Sequence, residues 1–162
     1  MKKEIFFIAV VGVVLFSCNA QAQAPRQGGS LTADYKNAVG LGLDLGSGGT
    51  GAGLGLKHFF TANGAVEANL LFFDDVFSLG AFYEYHGPIQ NAPGLKWYLG
   101  LGPQLFFYQG ATDIAARVPV GLDYKIPTVP LDFSFDWRPY YRFNDNSEFI
   151  AARFGVGIRF AF

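Results

Sequence analysis

The sequence predicts an all-β fold, an eight-stranded antiparallel up-and-down β-barrel that crosses a membrane. Three observations support this prediction: the composition, a two-residue alternation in eight successive segments, and the length of those segments. The 162 residues include 21 glycines and 18 phenylalanines. Glycine costs about 1 kcal/mol relative to alanine inside a helix, whereas aromatic side chains suit a pleated sheet. Most of the chain is therefore predicted to be β-strand.

The overall composition narrows the class of protein. Hydrophobic residues make up 51% of the chain and aromatic residues 17%, which is too apolar for a disordered segment. The length suits a single domain, and that domain must bury a large apolar surface or expose it to lipid. The formal net charge of −1 offers no basic face, so nucleic acid is not an expected partner.

The first residues have the pattern of a secretory signal peptide. Lys2 and Lys3 precede an apolar run at 5–16, which is too short to span a bilayer as a helix. Two A-x-A patterns follow, and they predict cleavage after Ala22 or Ala24. The predicted domains are a cleaved signal peptide at 1–24, a short periplasmic segment at 25–34 and a transmembrane β-barrel at 35–162.

A second interpretation of the same segment is a lipoprotein signal. The stretch Leu15-Phe16-Ser17-Cys18 resembles a lipobox, which would make Cys18 a lipidated N-terminus. The bulky Phe16 departs from that pattern. With cleavage at the later positions the mature chain has no cysteine, and disulfide or thiol chemistry is not expected.

In the first four predicted strands, apolar residues occupy every second position, with mainly glycine or polar residues between them. Successive side chains of a strand point to opposite faces, so each strand acquires one apolar and one polar face. These strands are predicted at 35–45, 50–60, 66–73 and 77–86. Their apolar faces comprise Val39, Leu41, Leu43 and Leu45, then Leu54, Leu56 and Phe60, then Val66, Ala68, Leu70 and Phe72, and finally Phe77, Leu79, Ala81, Tyr83 and Tyr85.

The second half of the chain repeats the alternation, with strands predicted at 95–107, 117–125, 131–142 and 153–162. The apolar faces of the first three comprise Leu95, Trp97, Leu99, Leu101, Leu105 and Phe107, then Val118, Val120, Leu122 and Tyr124, and then Leu131, Phe133, Phe135, Trp137 and Tyr141. In every predicted strand the Lys, Arg, Asp and Glu residues fall on the glycine-bearing face. The segments also match the ~9–11 residues that a tilted strand needs to cross a bilayer, whereas soluble strands average about 5–6.

Alternation alone does not say which face is inside, because a soluble lipocalin-like barrel turns its apolar face inward around a ligand. Two features favour the opposite orientation. The glycine-rich face suits a narrow, crowded lumen, and the apolar face ends in aromatic residues, as in the interfacial girdles of membrane barrels. One predicted girdle comprises Phe60, Tyr85, Trp97, Tyr124 and Phe162, and the other Phe72, Phe77, Phe107, Tyr141 and Phe143.

The last strand ends in a terminal aromatic residue after regular alternation. Its apolar positions are Phe154, Val156, Ile158, Phe160 and Phe162. This pattern resembles the C-terminal signal that the barrel-assembly machinery reads in bacterial outer-membrane proteins. The mature chain as a whole resembles the small eight-stranded barrels of the OmpA/OmpX type, including the "outer membrane protein beta-barrel" families. The resemblance implies an outer-membrane location, lipid contacts and periplasmic termini, but no activity.

Periplasmic termini fix the direction of the connecting segments. The turns at 62–64, 87–94 and 126–130 are then expected to face the periplasm. The links at 46–49, 74–75, 109–114 and 144–148 are expected to face outward. All of the outward links are short, unlike the long extracellular loops of many relatives.

The polar face predicts an enclosed network of charges. Hairpin symmetry brings Lys57 near Glu67, Glu84 near Lys96, and Lys125 near Asp132. Pairing of this kind satisfies buried charges that are costly alone. The predicted network comprises Lys57, Glu67, Glu84, Lys96, Asp123, Lys125, Asp132, Asp136, Arg138, Arg153 and Arg159. With Phe82, Tyr98 and Phe106 it is expected to fill the lumen, which leaves no water-filled pore.

Catalytic chemistry has weaker support. Ser78 and His86 share a strand face, but eight residues separate them by about 26 Å, which excludes a nucleophile–base pair. His58 is expected at the apolar rim. The glycine-rich stretch 46–55 lacks the Lys-Ser/Thr ending of a phosphate-binding loop. No His, Cys or carboxylate spacing suggests a metal, so we expect no cofactor and no enzyme.

The sequence therefore favours an integral outer-membrane barrel with a structural or interaction role, beside a membrane or periplasmic protein that the sequence does not name. A narrow conduit or binding site for a small, apolar solute is the alternative. A lipid-modifying enzyme ranks below both.

Overall fold

The computed structural model describes residues 34–144 and 147–162, so the predicted signal peptide lies outside the described residues, as does the predicted periplasmic segment except Asp34. The described chain forms only β-strands and their connections. The strands are β1 (Asn37–Gly46), β2 (Gly51–Phe59), β3 (Gly64–Phe72), β4 (Phe77–Pro88), β5 (Leu95–Tyr108), β6 (Ala111–Arg117), β7 (Val120–Lys125), β8 (Leu131–Trp137), β9 (Tyr140–Phe143), β10 (Glu148–Ile150) and β11 (Arg153–Ala161). Across these residues no helix has the length and apolar character needed to span a membrane.

The strands form one closed antiparallel barrel with eight staves. β1 to β5 each make one stave, and the pairs β6/β7, β8/β9 and β10/β11 each make one interrupted stave. The barrel closes where β1 pairs with β11, from Ala38 opposite Ala161 to Gly46 opposite Arg153. The predicted all-β fold with eight antiparallel strands is confirmed.

The three interruptions lie side by side, at 118–119, 138–139 and 151–152, and we call this level the bulge seam. Proline has no backbone N–H to donate to a ladder, which explains why Pro119 and Pro139 stand outside the regular strands. Their carbonyls still accept hydrogen bonds across the seam: the Val118 N–H donates to Pro139 at 3.0 Å, and the Gly100 N–H donates to Pro119 at 2.8 Å. The barrel wall therefore bends at this level without losing those contacts.

Two outward links are shorter than predicted. The segment 109–114 is mostly strand, because β6 begins at Ala111 and pairs with β5 as far as Tyr108. Only Gln109 and Gly110 separate the two strands, and the φ of 89° at Gly110 allows this tight turn. The segment 144–148 likewise ends in strand, because Glu148 begins β10 and pairs with Arg142.

The two faces of the barrel differ sharply in burial. Large apolar side chains cover the outside, with Leu41 at 61% exposed and Leu101 at 60%. Charged side chains fill the inside, where Asp44 and Asp136 are both fully buried. The apolar face therefore lies outside and encloses the ionic face, which is the predicted orientation and the reverse of a lipocalin-like barrel.

Two glycines on one strand provide a test of the close strand packing. Both face inward on β2, but a Cβ at Gly53 would overlap the Leu70 backbone of β3, whereas a Cβ at Gly55 would meet no atom within 4 Å. We expect Gly53→Ala to lower the free energy of unfolding by about 1–3 kcal/mol through overpacking. Gly55→Ala should leave it unchanged or raise it by about 0.4–1 kcal/mol, because alanine restricts the unfolded chain. Urea titrations of both refolded variants measure the difference, and equal stabilities would contradict this packing.

Candidate functional site in the barrel lumen

The enclosed charges form two clusters at different heights. We call the end of the barrel at which β1 starts the lower end, and the opposite end the upper end. Alternation places each side chain, because every second residue of a stave points inward. The lower cluster comprises Lys57, Glu67, Glu84, His86, Asp123, Asp132 and Arg159, and the upper cluster comprises Asp44, Arg117, Asp136, Arg138 and Arg153.

Lys57 occupies the middle of the lower cluster. Its ammonium nitrogen lies 3.2 Å from Glu67, 2.8 Å from Glu84 and 2.8 Å from Asp123. These carboxylates come from β3, β4 and β7, so one lysine joins four staves including its own. An ammonium group has three protons to donate, and three carboxylates here match that number.

Arg159 is the second cation of the lower cluster. Its Nε donates to Asp132 at 2.7 Å, its Nη1 to Glu67 at 2.7 Å and its Nη2 to Asp123 at 3.2 Å. Glu67 and Asp123 therefore each contact both cations, which makes the cluster one continuous network. A guanidinium with several fixed donors suits such a multidentate position better than a lysine does.

His86 extends this network toward the lower end. Its Nε2 lies 3.0 Å from Glu84, and its ring stacks on Tyr98 with centroids 5.1 Å apart. Below it, the ring of Phe59 lies 4.8 Å from the imidazole. An apolar cluster then closes the lower end; its members are Tyr35, Ala38, Phe59, Ala65 and Ala161.

The upper cluster is organised around two aspartates. Asp44 accepts from Arg117 Nη1 at 2.5 Å and from Arg153 Nε at 2.8 Å. Asp136 accepts a bidentate contact from Arg138, and the Tyr98 hydroxyl donates to it at 2.6 Å. Three arginines therefore face two aspartates in a fully buried setting, which leaves one excess positive charge.

Little free space remains between the two clusters. On one wall the amide of Gln104 donates to Ser78 at 2.8 Å and lies beside Asn69. The free volume bounded by Asn69, Ser134 and Arg138 is about 20 Å³. That is room for about one water molecule.

The upper end is open by comparison. A cavity of about 250 Å³ lies there, above the upper cluster. Aromatic rings form much of its wall, and Arg142 and Arg153 contribute the cationic groups. Its lining includes Phe73, Phe106, Tyr108 and Tyr140.

The structure places most of the predicted network residues together in the lumen. Lys57 and Glu67 lie directly opposite each other and in contact. The members that are buried there are Lys57, Glu67, Glu84, Asp123, Asp132, Asp136, Arg138, Arg153 and Arg159.

Two predicted members do not join the network. The register of β4 and β5 puts Gly100 opposite Glu84, so Lys96 lies four residues too low to reach that carboxylate and instead pairs with Asp34 at 3.0 Å. Lys125 lies opposite Asp132, but its ammonium donates to the backbone carbonyls of Ile126 and Val129. Both lysines sit at the lower rim, where their long side chains reach partners outside the lumen.

Two members of the upper cluster were not predicted. Asp44 and Arg117 both lie on the glycine-bearing face, and that position was the available signal. Asp44 contacts Arg153 on β11, with which β1 closes the barrel, whereas Arg117 reaches across the lumen from β6 to β1. A search limited to neighbouring strands cannot find such a contact.

The residues of the predicted C-terminal signal lie on β11 and just after it. Their side chains point outward; those exposed are Phe154, Val156, Ile158 and Phe160. Phe162 follows the strand, and its N–H donates to the Asn37 carbonyl at 2.7 Å. This residue therefore takes part in closing the barrel against β1.

Among the described residues, Ser78 and His86 make separate contacts and do not form a nucleophile–base pair. Ser78 bonds to Gln104 in the upper half, whereas His86 bonds to Glu84 in the lower cluster. His58 lies outside, where its ring nitrogen is 2.8 Å from Asn37. Within residues 34–144 and 147–162, no three His, Cys, Asp or Glu side chains are arranged to hold a metal ion.

Comparison with known proteins bears on the fold. No family model and no curated protein sequence matches the chain. Among solved structures, the crystal structure of the N-terminal β-barrel domain of Pseudomonas aeruginosa OprF is similar, with a TM-score of 0.54 and 16% sequence identity. The match covers 78% of this chain and 99% of that one. The chain thus shares the fold of the OprF N-terminal β-barrel domain.

Proposed function

We propose that the chain is an integral outer-membrane β-barrel protein of the OmpA/OmpX type, with a structural or interaction role. In this proposal residues 1–24 direct export and are removed, and the barrel-assembly machinery inserts the barrel. The observation that carries the proposal is the inverted distribution of polarity. Apolar side chains cover the outside while arginines, lysines and carboxylates are enclosed, as Leu101 at 60% and Arg117 at 1% exposed illustrate.

An exterior of this kind fits lipid better than water. Soluble monomers rarely expose contiguous apolar patches larger than a few hundred Å². Here exposed Leu, Phe, Val and Tyr side chains occur on every stave of the barrel. A closed barrel also satisfies its backbone groups between strands, which hydrocarbon requires. The similarity to the OprF β-barrel domain supports the fold of the chain and adds nothing on its location.

The filled lumen favours a structural role over a conduit. The ion pairs of Lys57 and Arg159 span the interior from several staves. The gap bounded by Asn69, Ser134 and Arg138 holds about 20 Å³, which is too small for a hydrated solute. The outer face then remains as the surface through which the protein contacts lipid and any partner in the membrane.

Fractionation of cells tests the membrane location. We expect the chain in the outer-membrane fraction, resistant to alkaline carbonate and released only by detergent, because removing the barrel from lipid exposes its apolar band. Folded and boiled samples should migrate differently on gels, as closed barrels resist unfolding by detergent alone. Purification of folded protein from the periplasm without detergent would contradict the proposal.

Planar-bilayer recordings test the closed lumen. Refolded protein is expected to give no reproducible single-channel conductance, because ion pairs fill the cross-section. A matched variant, Arg138→Ala, removes a lumen side chain beside the free volume and reports whether widening creates a path. Steady conductance by the unmodified protein, altered in that variant, would instead support the alternative role as a narrow conduit.

A further inference from the structure

The cavity at the upper end combines aromatic walls with unused cationic donors. Its volume of about 250 Å³ is below the ~300–1,000 Å³ of drug-sized ligand pockets, so it suits a smaller molecule. The rings of Phe106 and Tyr140 lie 5.4 Å apart, and Phe73 lies 6.5 Å from Phe106. These rings form a continuous aromatic wall on which another ring can pack.

The charge near this wall is not fully compensated. Arg117 is 1% exposed, and among the described groups its Nε and Nη2 have no hydrogen-bond partner. Arg138 and Arg153 lie close enough to act on its charge, and within the described part of the chain Asp44 is its one anionic contact. Buried donors of a charged group are costly to leave unpaired. The upper cluster, whose Arg153 lines the cavity, therefore carries excess positive charge.

Arg142 brings a second unused donor into the cavity itself. It lines the cavity, and its Nε has no partner among the described groups. Its guanidinium lies 5.7 Å from the Phe106 ring, and its Nη2 donates to the Tyr140 hydroxyl at 3.2 Å. The carboxylate of Asp113 is 3.7 Å from Nη1, beyond hydrogen-bond distance, and the exposed Glu148 also lines the cavity, opposite Arg142 in the β9–β10 ladder.

Tyr140 joins the two cations. Its ring lies 4.9 Å from the Arg117 guanidinium and 5.8 Å from that of Arg142. A ligand that packs against Tyr140 is therefore close to both positive charges. An anionic group gains from this field, because solvent screens the buried Arg117 little and the partly exposed Arg142 somewhat more.

The cavity also has access to the exterior. Above the bulge seam β10 pairs with β9, and no described strand pairs with its other edge. Ser47 and Gly48, in the β1–β2 turn, line the cavity on that side. The upper wall is therefore incomplete where the cavity lies, whereas the ion pairs close the lumen below it.

We propose that this cavity binds a small aromatic carboxylate. The ring packs against Phe73, Phe106 and Tyr140, and the carboxylate accepts from Arg142 near the positive charge of the upper cluster. A neutral aromatic of the same shape gains the packing but not the charge-assisted hydrogen bond. Inorganic anions gain the charge interaction but not the packing.

The test measures binding of benzoate and its neutral analogue benzamide to the refolded full chain in neutral detergent. Isothermal calorimetry is expected to give at least about tenfold tighter binding of benzoate, the factor that one such bond supplies. Arg142→Gln should abolish this preference while leaving benzamide binding unchanged. The matched control Lys96→Gln removes a cation at the lower rim and should behave as the unmodified chain.

A second measurement locates the ligand, so that the proposal does not depend on one variant. Intermolecular nuclear Overhauser effects are expected between the benzoate ring and the rings of Phe106 and Tyr140. Equal binding of benzoate and benzamide, equal loss in the Lys96→Gln control, or contacts only to detergent would overturn the proposal. Competition by chloride or phosphate as strong as by benzoate would overturn its aromatic part. None of these outcomes bears on the membrane location.

Discussion

Replacing Arg159 by methionine is expected to lower the free energy of unfolding by about 3–5 kcal/mol, the usual cost of breaking a buried ion pair from one side. The guanidinium contacts Asp132, Glu67 and Asp123, all of which are buried. Lys57 still contacts Glu67 and Asp123, but Asp132 keeps no cation within the described network. The variant therefore leaves uncompensated negative charge in a solvent-poor lumen.

Urea titration in detergent micelles, monitored by the gel shift of the folded barrel, measures this loss of stability. The matched control is Lys125→Met, which also removes a cation from the polar face. Its ammonium donates only to the carbonyls of Ile126 and Val129 at the rim, so its loss should cost about 0–1 kcal/mol. Similar stabilities for the two variants would show that the lower cluster does not depend on Arg159. A double variant, Arg159→Met with Asp132→Asn, should recover part of the stability.

Replacing Leu101 by arginine is expected to destabilise the barrel in lipid by about 2–4 kcal/mol, the cost of a cation facing the middle of a bilayer from a barrel. Leu101 is 60% exposed near the middle of β5, opposite Tyr83 on β4. No carboxylate is near on this face, because the charged residues of both strands point inward. In water the same change would cost almost nothing.

A control substitution at the end of the barrel distinguishes lipid from water as the solvent around Leu101. Val129 is 39% exposed in the turn between β7 and β8, where Val129→Arg should cost about 0–1 kcal/mol. Urea unfolding from vesicles gives both values. Equal effects of the two substitutions would argue against a band of lipid around β5, and with it against the proposed outer-membrane location.

The period-two pattern predicted the staves, because it reports which face of each strand is apolar, and together with the glycine-rich face and the aromatic strand ends it predicted the orientation. It placed Leu41 and Leu101 outside and Lys57 and Glu67 inside, side by side. It did not predict the breaks at Pro119 and Pro139, because the alternation of inward and outward positions continues across each break. The seventh predicted strand, 131–142, therefore appears as two.

Contacts across the lumen were harder to predict than contacts between neighbours. Pairing within a hairpin follows from the turn, but the reach of Arg117 to Asp44 depends on the curvature of the whole barrel. Lys96 was predicted to contact Glu84 on the neighbouring strand, and that prediction was wrong. The turn between β4 and β5 offsets the register, and a flexible lysine at the rim takes the nearer carboxylate of Asp34.

The bulge seam divides the molecule into parts that are held together differently. Below it, every stave has a neighbour on both sides, so no strand can leave without breaking two ladders. Above it, the three residues of β10 have one ladder, to β9. Local opening follows the smallest number of bonds that must break. Local opening at the upper end is therefore expected to begin with β10 while the ladders below the seam stay intact, and such opening would widen access to the upper cavity without unfolding the barrel.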